Sequence, residues 1–412
     1  MGEGGQITRR KSVFSFPSPE WGIFSWGCQG MTSQYMNHAL LLARRGQGVT
    51  SPNPMVGAVV VDTSGKIIAE GFHKRAGTPH AETAALRKAG SLAKGQTLYV
   101  TLEPCNHAGR TPRCTDAIIA AGIKQVVVAV RDPNPYVAGG GIEHLSKAGV
   151  AVTVGDGAQE AQRLNRNFFT WARAHRPWIT LKAAMSLDGK VAAFTGESKY
   201  LTSPKALAHA HELRRQHDAI LVGSGTILQD NPRLTYRGSR KGANPVRVIL
   251  DSRGRTPFNA EVFRTGSDSP TLIFTGHDTP RAWERQMFSA GGEVIRVANN
   301  SSGHINLLEV LGHLADRRIL SVLVEGGPTI HAAFVEGQLA DRWVGYVAPL
   351  LLGGDQAPSA VGGRGLALPE AALLHIERVL RRGPDVVIDA LFVQPTSEYA
   401  PADPIPAVKE VN

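Results

Sequence analysis

The chain has 412 residues, 42% hydrophobic and 19% charged, which sets a prior of two or three packed domains and excludes a disordered chain. No apolar run approaches the roughly 18 residues that span a bilayer, and three cysteines are too few and too odd in number for a disulfide scaffold, so a reducing, cytoplasmic setting without membrane partners is expected. The net charge of +10 points to acidic partners, with a generally basic surface as the other reading, and no Lys/Arg run reaches five residues, which speaks against a nucleic-acid-binding tail.

Residues 1–30 mix Gly, Ser, Pro and aromatics without a period. They read as an extension outside the fold, with Met31 a natural start. A helix is expected near Gln34–Arg45, then a hairpin of Val56–Val61 and Ile67–Glu70. Helices at Ala81–Ala89, Asp116–Ala121 and Ile142–Lys147 alternate with strands at Thr97–Thr101, Gln125–Val130 and Val150–Val154. This is an α/β three-layer domain over residues 31–175, closed by one long helix, Ala158–Ala174. A second α/β domain, residues 176–395, has strands at Trp178–Ala183, Ala219–Val222, Val246–Leu250, Thr271–Phe274, Glu293–Val297, Ser321–Val324, Trp343–Val347 and Asp385–Phe392. Its helices are expected at Pro204–Gln216, Ile305–Ala315 and Pro328–Glu336, and the Pro-containing residues 396–412 read as a flexible tail.

The sharpest chemical signal is His80-Ala81-Glu82 with Pro104-Cys105 and Cys114. One imidazole and two thiolates suit Zn²⁺ and leave a fourth tetrahedral position for water, whose pKa the metal lowers. Glu82 is placed to move a proton from that water to a ring nitrogen and the leaving ammonia, the logic of nucleobase deaminases. A structural zinc site with His107 as fourth ligand is the alternative.

Eight residues separate Cys105 and Cys114, where base deaminases commonly have two. The run Thr101-Leu102-Glu103-Pro104-Cys105-Asn106-His107-Ala108-Gly109-Arg110-Thr111-Pro112-Arg113-Cys114 closely resembles the bifunctional deaminase–reductase family of riboflavin biosynthesis. Pro52-Asn53-Pro54-Met55-Val56-Gly57 and Asp132-Pro133-Asn134-Pro135-Tyr136-Val137-Ala138-Gly139 match two more of its motifs, whereas Thr83-Ala84 stands where the family usually has Val-His. The resemblance implies a cytidine-deaminase-like first domain acting on a 2,5-diamino-pyrimidinone that carries a ribosylamino 5′-phosphate. It puts Asn53 on the pyrimidine edge and His107 and Arg110 near the phosphate; a turn Asn and a solvated loop are the plainer readings.

The second half has no Gly-x-Gly-x-x-Gly in a strand–turn–helix setting, which disfavours a Rossmann domain. Instead Val324-Glu325-Gly326-Gly327-Pro328-Thr329 runs from an apolar strand through two glycines into a helix start suited to an anion. That segment, with Lys182–Lys190, Gly196-Glu197-Ser198 and Asp230–Arg237, resembles the reductase half of the same family, which is dihydrofolate-reductase-like in fold and uses NADPH. The resemblance covers about residues 33–393. It assigns Ser198, Arg214, Leu234, Arg237 and Glu325 to substrate, with Arg214 and Arg237 suited to the phosphate. It assigns Ala184, Tyr200, Thr226, Asp230, Ser252 and the segment Gly327, Pro328, Thr329, Ile330, His331, Ala332, Ala333 to NADPH. It also implies pairing of chains through the reductase domain. The expected chemistry is hydrolytic deamination, then reduction of the ribosyl chain to ribityl. A nucleic-acid editing deaminase and a non-catalytic zinc protein are the rival readings. Because the two sets of site residues lie in separate blocks, two independent sites are expected.

Overall fold

The structure, a computed structural model, describes residues 32–107, 112–134, 140–198, 201–238, 243–264 and 269–393. The expected extension and tail, Arg110, Tyr200 and the Pro135–Gly139 loop lie outside them.

The first block is a five-stranded sheet in the order β2-β1-β3-β4-β5. Strands β1 (Gly57–Val61) and β2 (Ile67–Phe72) form the antiparallel hairpin. Strands β3 (Thr97–Val100), β4 (Gln125–Val128) and β5 (Ala151–Val154) run parallel. Buried on both faces, β1 and β4 read as β-branched runs rather than alternating ones. Helix α1 (Gln34–Ala43) packs on one face through Met36, Ala39 and Leu40. Helices α2 (Ala81–Ala89), α3 (Cys114–Ala120) and α4 (Gly141–Lys147) cover the other through Ala85, Ile118 and Leu145. Helix α2 must lie very close to β2: a Cβ at Gly71 would stand 2.3 Å from the Ala81 carbonyl oxygen and 2.6 Å from the Ala85 nitrogen. Glycine at 71 therefore sets the depth at which the start of α2 enters the domain.

The expected single helix over 158–174 is two helices, α5 (Ala158–Leu164) and α6 (Arg166–Ala174). They break at Asn165, whose backbone leaves the helical region (φ −109°, ψ 23°). The cause is tertiary. The buried Asn165 amide accepts from the Met55 N–H at 2.7 Å and donates to the Met55 carbonyl at 2.9 Å, pinning the 52–56 loop. Asn165→Ala should cost about 1–3 kcal/mol by orphaning both Met55 groups. A thermal melt, together with a raised KM for deamination, checks it.

The second block is a nine-stranded sheet, β10-β9-β8-β7-β11-β6-β12-β14-β13. Seven strands run parallel to one another: β6 (Trp178–Ser186), β7 (Ala219–Gly223), β8 (Val246–Leu250), β9 (Thr271–Gly276), β10 (Gly292–Val297), β11 (Ser321–Val324) and β12 (Arg342–Ala348). Helices α7 (Pro204–Arg215), α8 (Ser224–Asp230), α9 (Arg281–Ser289), α10 (Leu307–Asp316) and α11 (Pro328–Glu336) connect them. Helices α8 and α9 and the edge strand β13 (Leu374–Arg382), which pairs antiparallel with β14 (Asp385–Phe392), lie outside the elements expected from the sequence. Strand β13 is largely exposed and carries Arg378, Arg381 and Arg382, so no buried alternation marks it. Helix α9 buries only Met287, with Trp283 one turn earlier packed on the same core.

The blocks meet through α6 and the end of α10. Trp171 donates Nε1 to the Ala315 carbonyl at 3.0 Å, His175 pairs with Asp316 at 2.9 Å, and Arg166 grips both carboxylate oxygens of Glu377 at 3.1 and 3.2 Å.

Candidate active sites

His80 caps α2 in an extended conformation, which leaves its side chain free to turn toward the loop after β3. Cys105 follows Pro104 in that loop, and Cys114 opens α3. The chain closes tightly here: a Cβ at Gly141 would stand 2.1 Å from the Pro104 carbonyl oxygen. The outcome is a donor cluster in which His80 Nδ1 lies 3.2 Å from Cys114 Sγ and 3.4 Å from Cys105 Sγ. All three donor atoms lie within 4.8 Å of one another. Tetrahedral zinc with Zn–N about 2.0 Å and Zn–S about 2.3 Å sets N and S ligands about 3.5 Å apart, so the cluster fits this ion. A hydrogen bond from the Cys114 thiol, with His80 behind it, holds Cys105 far below the ordinary thiol range at about 4. His107, the alternative fourth ligand, is exposed and outside the cluster.

Glu82, in the first turn of α2, is 3% exposed. Burial pushes its carboxyl up to about 7, against the pull of His80. His80, Cys105 and Glu82 open into a cavity of 920 Å³ that Asn53 and His73 also line. His73 gave no signal in the sequence, having no motif around it. Its ring packs edge-on against His80 at 5.4 Å between centroids. It is buried, which lowers its pKa and keeps the ring neutral. With Nδ1–H donated to the Pro79 carbonyl at 3.3 Å, Nε2 accepts from the Asn53 amide at 3.1 Å. That tautomer orients Asn53 and leaves its carbonyl oxygen without a donor among the described residues.

Glu103 also stands in the cavity wall, and it is occupied: it accepts from the amides of Gly141 at 3.0 Å, Ile142 at 3.2 Å and Asp132 at 3.1 Å.

The second group of residues gathers at the C-terminal ends of four adjacent strands, the usual ligand crevice of an open parallel sheet. Ala184 lies in β6, Thr226 and Asp230 in α8 after β7, Ser252 just after β8, and Gly327 after β11. Three expectations change here. Within the segment 327–333, His331 and Ala332 point inward: His331 donates Nδ1–H to the Ala360 carbonyl, 2.9 Å away, and packs on Trp343 at 5.8 Å. The amides of Ile330 and His331 go back to the Gly327 carbonyl at 3.0 and 3.2 Å, and Pro328 has none. An anion at this helix start is left the amides of Gly327 and Thr329.

Leu234 has its side chain buried among Ile220, Val222 and Ile249, with φ +52°. It can meet a substrate only through its backbone.

Arg214, read from the sequence as a phosphate partner, instead forms a fork-to-fork pair with Glu325, Nε–Oε1 and Nη2–Oε2 both 2.9 Å, and donates Nη1 to the Thr235 carbonyl at 3.0 Å. Three of its donors are thus spent inside the protein. Burial works to raise the Glu325 carboxyl, but Arg214, with Lys182 and His211 nearby, holds it at about 2. Arg237 is exposed and has no side-chain partner among the described residues, and Ser198 is half-buried. Lys182, on β6 between Glu325 and the Tyr346 ring (5.5 Å), was missed because a lysine in an apolar strand gives no local cue. Burial lowers its pKa, and Glu325 opposes that.

A catalytic zinc deaminase site and a cofactor-binding reductase crevice on one chain define a two-domain nucleobase-processing enzyme. Residues 30–130 match the cytidine and deoxycytidylate deaminase zinc-binding region, and residues 177–388 match the RibD C-terminal domain. The riboflavin biosynthesis protein RibD of Bacillus amyloliquefaciens is 45% identical, covering 88% of this chain and 96% of that protein. That of Escherichia coli strain K12 is 40% identical over 86% of this chain and 97% of its own length. Among solved structures, Acinetobacter baumannii RibD superposes with a TM-score of 0.78 at 35% identity, covering 87% and 98% of the two chains. A Thermotoga maritima diaminohydroxyphosphoribosylaminopyrimidine deaminase/5-amino-6-(5-phosphoribosylamino)uracil reductase gives 0.75 at 37% identity, covering 87% and 97%. The chain belongs to the RibD family of riboflavin biosynthesis proteins.

Proposed function

We propose that this chain deaminates 2,5-diamino-6-ribosylamino-4(3H)-pyrimidinone 5′-phosphate and then reduces its ribosyl chain to ribityl, with zinc and NADPH as cofactors. The observation that carries this is the His80/Cys105/Cys114 donor cluster with buried Glu82 in a cavity that Asn53 also lines, on a chain whose second half matches the family's reductase. Among the described residues no helix is long and apolar enough to cross a membrane.

In the first step the ring amino group is replaced by oxygen from water, and ammonia leaves. Zinc, when bound by His80, Cys105 and Cys114, supplies activation of that water. Glu82 takes the water's proton and returns it to the ring nitrogen and the departing amine. Asn53, oriented by His73, accepts from an exocyclic amino group of the pyrimidine. In the second step NADPH, when bound, supplies hydride to carbon 1 of the open-chain imine. The amides of Gly327 and Thr329 face a cofactor phosphate, Arg237 takes the substrate 5′-phosphate, and Glu325, fixed by Arg214, accepts from a substrate hydroxyl. Lys182 sits beside Glu325 as the available N–H donor for the reduced nitrogen.

The interdomain cleft lies at the N-terminal ends of the strands, beside Trp178, Asp218 and Ser321, and the reductase crevice at their C-terminal ends. The intermediate therefore leaves the first site before reaching the second in the same chain. The outer edge of the sheet exposes Leu374, Ile376 and Val379 on β13, which supports pairing of chains through the reductase domain. Incubation with the diamino-pyrimidine phosphate tests the function. Without NADPH, ammonia and the deaminated compound should accumulate; with it, the ribityl product should follow by mass. Absence of either product overturns the corresponding step.

A further inference from the structure

The substrate of the first step carries a phosphate dianion, so its cavity needs a cation. Among the described residues that line the cavity over His80 and Glu82, the only lysines or arginines are Arg317 and Arg318. Both come from the second block, at the end of α10. Arg317 is committed: it pairs with Glu293 at 2.6 Å and donates to the His313 carbonyl at 3.2 Å. Arg318 is exposed and has no side-chain partner among the described residues. Its backbone stands at φ +57° and ends the helix, with its N–H on the Ala315 carbonyl at 2.8 Å and that of Ile319 on the Leu314 carbonyl at 3.1 Å. This stop normally falls to glycine or asparagine, because a Cβ strains the left-handed region. An arginine here is held at a cost to the fold, which points to a use for its side chain. Its position over the cavity is set by Trp171 on the Ala315 carbonyl and by the His175–Asp316 pair.

We propose that Arg318 crosses the domain boundary to bind the 5′-phosphate of the deaminase substrate, so that the reductase block completes the deaminase site. This rests on reading the cavity as that site. With the pyrimidine held deep, at the zinc ligands and Asn53, the ribose phosphate extends toward the mouth, where the Arg318 guanidinium matches its oxygens in a fork. Competing carboxylates are occupied: Asp316 by His175, Glu103 by backbone amides, and Asp132 by the Asn134 amide at 2.9 Å. The two sites are then not independent in the way the separate sequence blocks suggest.

Arg318→Gly tests this in the full chain. Glycine suits the backbone conformation, so the melting temperature should hold or rise. KM for deamination of the phosphorylated substrate should rise roughly 10- to 100-fold, the value of a charged hydrogen bond to phosphate, with kcat little changed. Deamination of the dephosphorylated substrate, and NADPH-dependent reduction of the deaminated intermediate, should be unaffected. Arg318→Lys should recover part of the KM. An unchanged KM, or an equal loss for both substrates, overturns the proposal. So does a phosphate preference that survives Arg318→Gly and vanishes in Arg110→Ala. A wild-type chain that deaminates neither compound overturns the deaminase reading itself.

Discussion

Glu82→Gln should retain stoichiometric zinc and lose deamination by a factor of about 10² to 10⁴, the contribution of a positioned acid–base group. Glutamine keeps the shape and most of the hydrogen bonding of the buried side chain but cannot accept and return a proton. The three metal donors are His80, Cys105 and Cys114, so metal content should not change, whereas Cys105→Ser should lose metal and deamination together. Reduction of the supplied deaminated intermediate by NADPH should continue at the wild-type rate, because that crevice lies at the opposite ends of the strands. Zinc analysis, ammonia release and NADPH oxidation on the same preparation separate these effects. A Glu82→Gln protein with near wild-type deamination would remove Glu82 from the proton path.

The second large effect is expected at Glu325→Gln. Arg214 would keep its burial and lose its counter-charge, with Lys182 already beside it. Removing one partner of a buried pair typically costs about 3–5 kcal/mol, and reductase turnover should fall with it. The effect carries a pH signature. The Glu325 carboxyl sits at about 2 in the fold against 4.5 as its ordinary value. A group depressed in this way stabilises fully above its unfolded pKa, and that contribution fades as pH falls from 4.5 toward 2. The difference in melting temperature between wild type and Glu325→Gln should therefore be widest near neutral pH and shrink below 4.5. Replacing both partners, Arg214→Met with Glu325→Leu, should recover most of the stability and none of the reduction. A double variant that still reduces substrate would make the pair purely structural.

Much of the architecture was readable because it follows local rules. The helix Ala81–Ala89 was expected with the bounds that it has, since proline and a polar cap precede an apolar stripe. The buried parallel strands announced themselves as β-branched runs. Where local pattern and tertiary demand disagreed, the reading failed. Asn165 sits inside a helical pattern and breaks it because Met55 takes its amide. Strand β13 carries arginines for the edge of a sheet and shows no stripe.

From the sequence by itself came the donor chemistry, one imidazole and two thiolates with a nearby carboxylate, together with the order of the two α/β blocks and the family whose motifs they carry. These depend on residue type and short spacing, which the chain carries linearly. Tertiary structure decided which charges meet. It turned Arg214 onto Glu325, sent His331 and Leu234 into the core, set His73 behind Asn53, and brought Arg318 over a cavity whose other walls lie far away in the chain. Each of these joins residues that are not neighbours in the chain, 20 positions apart for Asn53 and His73 and 111 for Arg214 and Glu325, and such contacts follow from how packed elements dock, which no local spacing encodes.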